Sequence, residues 1–232
     1  FNVFAHSDGL KNILDNVTRL LKKDGEFIFE VQYLLRTIKD LTFDNIYHEH
    51  VNYWCLLSII HFFEESEMKV YKVEEVDTHG GSLRIYATMD KNKRSHKSLK
   101  QYIQLENKNK LNKIETYYKF AEDVEKIKFN SLKKIENILS DNKKIIGYGA
   151  PAKATTILNF YGITSEYFEY TIDDSTLKQQ KYIPGTGIKI VNVNNIDKDK
   201  YDYILVLAWN FYDSIVKANK AKFPKGKFLK LN

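Results

Sequence analysis

The sequence predicts a mixed α/β protein made of two α/β units joined by a helical connector, and three patterns carry that expectation. The chain opens as strand, helix, strand over Asn2 to Val31. Two further strands, Lys69 to Val76 and Ser82 to Thr88, are expected to meet across the turn His79-Gly80-Gly81. From Lys144 onward, short apolar runs alternate with helical stretches, the signature of a parallel sheet. The expected boundaries are 1–90 for the first unit, 91–142 for the connector and 143–232 for the second unit.

In the first unit, Asn2 to Ala5 reads as a short strand ending at His6. Ser7 or Asp8 is placed to cap a helix whose apolar face carries Leu10, Ile13, Leu14, Val17, Leu20 and Leu21. Lys22, Lys23, Asp24 and Gly25 suit a helix end, with cations in the last turn and a glycine beyond it. Phe27 to Val31 then reads as a buried strand, so the opening implies a right-handed parallel crossover. A helix over about Leu56 to Ser66 precedes the two strands around Gly80-Gly81, which read as an antiparallel hairpin.

Asp90 to Ser98 is a charged linker, and Leu99 to Leu139 places Ile114, Tyr117, Ala121, Val124 and Ile135 at helical spacing. In the second unit, strands are expected at Ile145 to Tyr148, Tyr167 to Ile172, Ile188 to Val191, Tyr203 to Ala208 and Phe228 to Leu231. Helices are expected at Pro151 to Tyr161 and Tyr212 to Lys222, giving a Rossmann-like alternation.

Composition narrows the function classes. A hydrophobic content of 43% is enough to bury a core. No apolar run approaches the roughly 18 residues of a membrane helix, so no membrane partner is expected. The net charge of +6 invites a nucleic-acid reading. Against it, arginine occurs only at Arg19, Arg36, Arg84 and Arg94, and the lysines interleave with acids, so no nucleic-acid partner is expected. The single cysteine, Cys55, rules out an internal disulfide and fits a cytoplasmic location. The chain starts on Phe1 without a signal-peptide pattern, and the natural protein is expected to extend upstream.

Two segments carry chemistry. Tyr47-His48-Glu49-His50 follows a strand and its loop, and His6 ends the neighbouring predicted strand, so the groups are expected to face one cleft. Imidazole titrates near neutrality and serves as a general base, a carboxylate can orient it, and a phenol can hydrogen-bond an oxyanion. A metal held by His6, His48, Glu49 and His50 is the rival reading; Glu49 would point away from the other ligands on an extended segment, and no metal is expected.

The second segment, Gly147-Tyr148-Gly149-Ala150-Pro151-Ala152-Lys153, lies at a strand-to-helix junction where free amides and a lysine attract anions. Gly147, Gly149 and Ala152, with Asp173 or Asp174 following, also fit the dinucleotide fingerprint. His79 and Gly80 sit in what reads first as a hairpin turn and second as amides near a ligand. Trp54 and Trp209 read as core, and Asn210 ends an apolar strand where it can face a crevice.

Taken in order, Asn2-Val3-Phe4-Ala5-His6, Asp24-Gly25 through Phe29-Glu30, Ile46-Tyr47-His48-Glu49-His50, His79-Gly80-Gly81-Ser82-Leu83-Arg84 and Gly147 to Lys153 form a recognisable series. Lys178-Gln179, Tyr182-x-Pro184-Gly185-Thr186 and Ala208-Trp209-Asn210 continue it. The series resembles the S-adenosylmethionine-dependent C-methyltransferases that act on nucleotide-linked 4-keto sugars. Departures are Gln32 where proline is common, and Ala154 and Gln180 where glycine is common.

The resemblance implies that the first unit is the back half of a truncated class I methyltransferase domain ending in an antiparallel hairpin. It implies S-adenosylmethionine as cofactor, held mostly by a portion upstream, and zinc only in a further N-terminal module. Further implied are a nucleotide-diphosphate sugar as substrate and the N-terminal portion of the same protein as partner. His50 would be the base, Glu49 its orienter, and Tyr47 and His6 the groups that meet the enolate oxygen or position the sugar. His79, Gly80, Gly149, Lys153 and Asn210 would bind substrate. The alternatives are a nicotinamide-dependent oxidoreductase built on Gly147 to Lys153, or a non-catalytic nucleotide-sugar-binding module.

Overall fold

Two strands either side of paired glycines fold back on each other, and that hairpin organises the first sheet. The computed structural model describes residues 3–78 and 80–231. The chain divides into two units, Phe1–Ala121 and Glu122–Asn232, and the division falls within the long helix α5 (Ile114–Ser140). The connector stretch is filled by α4 (Lys97–Lys108) and α5.

In the first unit, β2 (Lys69–Val76) and β3 (Ser82–Thr88) pair antiparallel, and β1 (Glu26–Gln32) joins the other side of β3, also antiparallel. Gly80 and Gly81 at the turn take φ values of 85° and 106°, which L side chains rarely adopt. Val31, Val73, Leu83 and Ile85 are fully buried, each stabilising the fold by about 1.5–3 kcal/mol relative to exposure. α1 (Leu10–Leu20) and α3 (Leu56–Glu64) contribute Leu10, Leu14, Leu56, Ile59 and Phe63 to the same core. The carboxylate of the fully buried Glu106 on α4 accepts the amides of Leu56 and Leu57 at 2.6 and 2.9 Å, closing the start of α3.

This unit corrects several expectations. The predicted opening strand is a 3-10 turn over Phe4–His6, with Asn2 outside the described residues. The amides of Val51 and Asn52 both donate to the carbonyl of Ala5, which holds the turn, and among the described residues no strand precedes α1. The first sheet is antiparallel throughout. Gly9 rather than Ser7 or Asp8 caps α1, while Ser7 Oγ accepts the Gly9 amide at 3.1 Å. Leu20 is 86% exposed, off the buried stripe of Leu10, Leu14 and Val17. Gly25 is required by close approach: a Cβ there would lie 2.9 Å from Leu21 Cγ.

In the second unit, β4 (Ile145–Tyr148), β5 (Tyr170–Ile172), β6 (Lys189–Val191), β7 (Tyr203–Val206) and β8 (Lys227–Leu229) form a parallel sheet in the order β6-β5-β4-β7-β8. That order runs outward from β4 in both directions and makes the C-terminal ends of β4 and β7 a switch point. α6 (Ala152–Tyr161) follows β4, with Pro151 at the cap rather than inside the first turn. Gly162 closes α6 with a left-handed φ of 73°. Gln180 holds φ 65° at a position where glycine is common in the family resembled. α7 spans Tyr212–Asn219, and its predicted last turn is a 3-10 turn over Lys220–Lys222. Among the described residues no helix is long and apolar enough to cross a membrane.

Candidate active site

The first site is built from turns. After α2 (Leu34–Lys39), Leu41 takes φ 52° and the chain passes through a 3-10 turn, Phe43–Asn45. Thr42, Phe43, Asp44 and Asn45 are all buried, so a polar turn lies beneath the half-buried Tyr47 and His50. Beyond it, Val51 and Asn52 strap the segment to Ala5, and Asn52 Nδ2 donates to the Ser7 carbonyl at 2.7 Å. This strap brings His6 beside His50, with ring centroids 4.9 Å apart and ring planes at 71°.

His50 is engaged at both ring nitrogens. Nδ1 lies 2.8 Å from the carbonyl oxygen of Asn45, and Nε2 lies 3.4 Å from the Tyr47 hydroxyl. A carbonyl only accepts, so Nδ1 carries the proton of the neutral ring and Nε2 holds the lone pair. The Tyr47 hydroxyl is also 3.5 Å from Glu49 Oε2. Burial first, and then the Glu49 carboxylate, push the Tyr47 phenol above its ordinary pKa, so it stays protonated.

Glu49 therefore bears on Tyr47 and, at 4.0 Å, on His48, whose side chain is 85% exposed. His50 Nδ1 is met by the backbone carbonyl of Asn45. Among the described residues no group of three or more His, Cys, Asp or Glu side chains is gathered to hold a metal ion. Gly80 sits in the exposed hairpin turn, with open space where a Cβ would be, and His79 lies outside the described residues.

The second site is the turn after β4. Gly149 takes φ 91°, and a Cβ there would meet Ala208 Cβ at 2.8 Å, so this glycine lets the turn press against the end of β7. Asp173 Oδ2 accepts the Ala150 amide at 2.7 Å and lies 3.4 Å from Lys178 Nζ. Lys178 also donates to the Ala150 carbonyl at 3.0 Å. The acid that a dinucleotide site would turn toward a ribose instead pins its own glycine turn. Lys153 Nζ lies 5.2 Å above the ring of Trp209, which is half-buried rather than core, and Asn210 is exposed in the 3-10 turn Trp209–Phe211.

Sequence reasoning missed Asn45 and Tyr53. Asn45 acts through its main chain, which no residue type announces. Tyr53 interacts electrostatically with the backbone of Tyr47, and burial raises its pKa. An aromatic six positions beyond Tyr47 was the available signal for it.

A phenol–imidazole pair on one unit and a glycine turn at the switch point of another define a mixed α/β protein with two candidate sites. The chain belongs to the C-methyltransferase C-terminal domain family, whose profile matches residues 77–230. It is 31% identical over 224 residues to the C-methyltransferase NovU of Streptomyces niveus, an alignment covering 96% of this chain and 53% of that protein. The chain thus spans about half the length of the curated relative it matches.

Proposed function

We propose that this chain is part of an S-adenosylmethionine-dependent C-methyltransferase that methylates a nucleotide-linked keto-deoxysugar next to its ketone. The observation that carries this reading is the His50 imidazole, with Nδ1 on the Asn45 carbonyl and Nε2 beside the Tyr47 hydroxyl. It is joined by membership of the C-methyltransferase family.

A ketone acidifies the hydrogen on the adjacent carbon. His50 Nε2 takes that proton, and the C–H electron pair moves into the enolate. Tyr47, kept protonated by burial and by Glu49, donates to the enolate oxygen, and His6 stands beside the His50 ring. The Tyr47 hydroxyl has one proton, which Glu49 Oε2 at 3.5 Å and His50 Nε2 at 3.4 Å compete to accept. Imidazolium formation at Nε2 leaves the Nδ1–H bond to Asn45 in place, so the ring does not reorient during proton transfer.

S-adenosylmethionine, when bound, supplies an electrophilic methyl group. Among the described residues of the first unit no glycine-rich turn follows a parallel strand, so this unit does not fit as a cradle for that cofactor by itself. The proposed division of labour puts proton transfer in residues 1–90 and the nucleotide in residues 143–232, with 91–142 connecting them. The amides of Ala152 and Lys153 at the start of α6 and the Lys153 ammonium are the proposed diphosphate anchor, with Asn210 as a further substrate contact. An oxidoreductase is disfavoured by Asp173, which is turned onto the Ala150 amide.

The test is methyl transfer by the full-length protein from methyl-labelled S-adenosylmethionine to thymidine- and uridine-diphosphate 4-keto-6-deoxyhexoses. A carbon-linked, alkali-stable methyl group on the sugar is expected. Exclusive O-methylation, or NAD(P)H turnover without methylation, contradicts the reading.

A further inference from the structure

We propose that Thr42 and Asn45 are positioning residues that fix the tautomer and direction of the His50 imidazole, a role that rests on His50 being the base. Neither residue touches the proposed reacting atoms. Asn45 is 1% exposed and Thr42 is 6% exposed. Asn45 Nδ2 donates to Thr42 Oγ1 at 3.0 Å, and the Asn45 amide donates to the Thr42 carbonyl at 3.1 Å. The Thr42 amide is itself tied to the Thr37 carbonyl at 3.1 Å, and the Ile46 amide to that of Phe43 at 2.9 Å. The turn is therefore anchored to the helix before it and closed on itself, and the Asn45 carbonyl has one direction in which to point.

That direction selects the tautomer. With Nδ1 at 2.8 Å from the carbonyl, the alternative tautomer would set one lone pair against another and leave Nε2 protonated, unable to accept a proton. A carboxylate partner would also hold the Nδ1–H tautomer, but it would add a negative charge beside the imidazolium. The carbonyl fixes the ring without that charge.

The amide side chain is an odd choice for stability alone. Asn45 Oδ1 is buried without a hydrogen-bond partner among the described residues, an arrangement that works against the fold. Its Nδ2, by contrast, makes the bond that closes the turn under the base. A residue retained only for packing would lose stability on truncation; one retained for aim would lose rate.

The experiment labels the histidine rings of the full-length protein with 15N and pairs their spectra with deuterium exchange into the keto sugar. The wild type is expected to show a pyrrole-type Nδ1 and a pyridine-type Nε2 for His50. In Thr42→Val and Asn45→Ala, the two shifts should converge through tautomer exchange. Exchange into the sugar should fall about 10-fold to 100-fold, with KM unchanged and the acid limb of the pH profile displaced. Thr42→Ser should restore both readouts. A single retained tautomer with undiminished exchange overturns the role. A retained tautomer with lowered exchange overturns it while leaving the base assignment intact. A lost tautomer with undiminished exchange overturns the base reading and the role with it.

Discussion

His50 Nδ1 lies 2.8 Å from the carbonyl oxygen of Asn45, so the ring presents Nε2, its basic nitrogen, to the Tyr47 hydroxyl 3.4 Å away. The base of the proposed reaction is thus aimed by main chain, and the acidic residue beside it acts on the phenol.

Tyr47→Phe removes the donor proposed for the enolate oxygen. Proton exchange by this variant should fall about 100-fold to 1,000-fold, as for loss of one oxyanion donor. Because burial and Glu49 raise the phenol pKa, its protonated form persists to higher pH than that of a free tyrosine. The wild-type rate should therefore show no phenol-linked fall below about pH 10. Initial rates across an alkaline series check this; a fall that begins near pH 9 and disappears in Tyr47→Phe counts against the assignment.

Glu106→Gln should lower stability by about 1.5–3 kcal/mol, because one charged carboxylate satisfies two amides at the start of α3. Urea titration should show a lower midpoint at unchanged slope. An unchanged midpoint would mean the carboxamide satisfies both amides equally well.

Lys153→Ala should raise KM for the nucleotide sugar about 10-fold, with kcat retained, since the lysine is assigned to binding rather than to the reacting carbon. Gly149→Ala should be worse, because its φ is 91° and its Cβ would lie 2.8 Å from Ala208 Cβ. Titration of the full-length protein with thymidine diphosphate separates the two effects. Unaltered affinity in both variants removes the second unit from substrate binding.

Tyr71 and Glu26 form a pH-dependent contact across the first sheet, with the hydroxyl donating at 2.6 Å. Burial first, and then Glu26, push Tyr71 up to about 12, so its contribution is fully present below the unfolded value near 10 and is lost as pH rises toward 12. The hydrogen bonds from Tyr71 and Lys93 lower Glu26, whose contribution is present above the unfolded value and lost as pH falls through the depressed one. Tyr71→Phe should flatten both limbs of a melting-temperature profile; a profile parallel to wild type contradicts the linkage.

The hairpin was legible to the residue. β2 and β3 have the ends read from the stretches either side of Gly80-Gly81, because a strand pair joined by a short turn is specified locally. Phe4 to His6 was not legible, because an apolar run this short folds as its partners dictate, and here the amides of Val51 and Asn52 claim Ala5. Residue types grouped Tyr47, His50 and His6, whose rings lie side by side in the structure. They could not give the direction of Glu49, nor show that a backbone carbonyl would hold the imidazole. Asp173 matched a spacing rule, yet its carboxylate reaches the Ala150 amide first.

The central claim is that His50 removes a proton from the carbon beside the ketone. It is tested most directly by incubating the full-length protein with a keto sugar nucleotide in deuterium oxide, without the methyl donor, and following exchange at that carbon by proton NMR. Exchange is expected for the wild type, with a loss of at least about 100-fold in His50→Ala while the variant stays folded and still binds the nucleotide. Wild-type exchange in His50→Ala would contradict it.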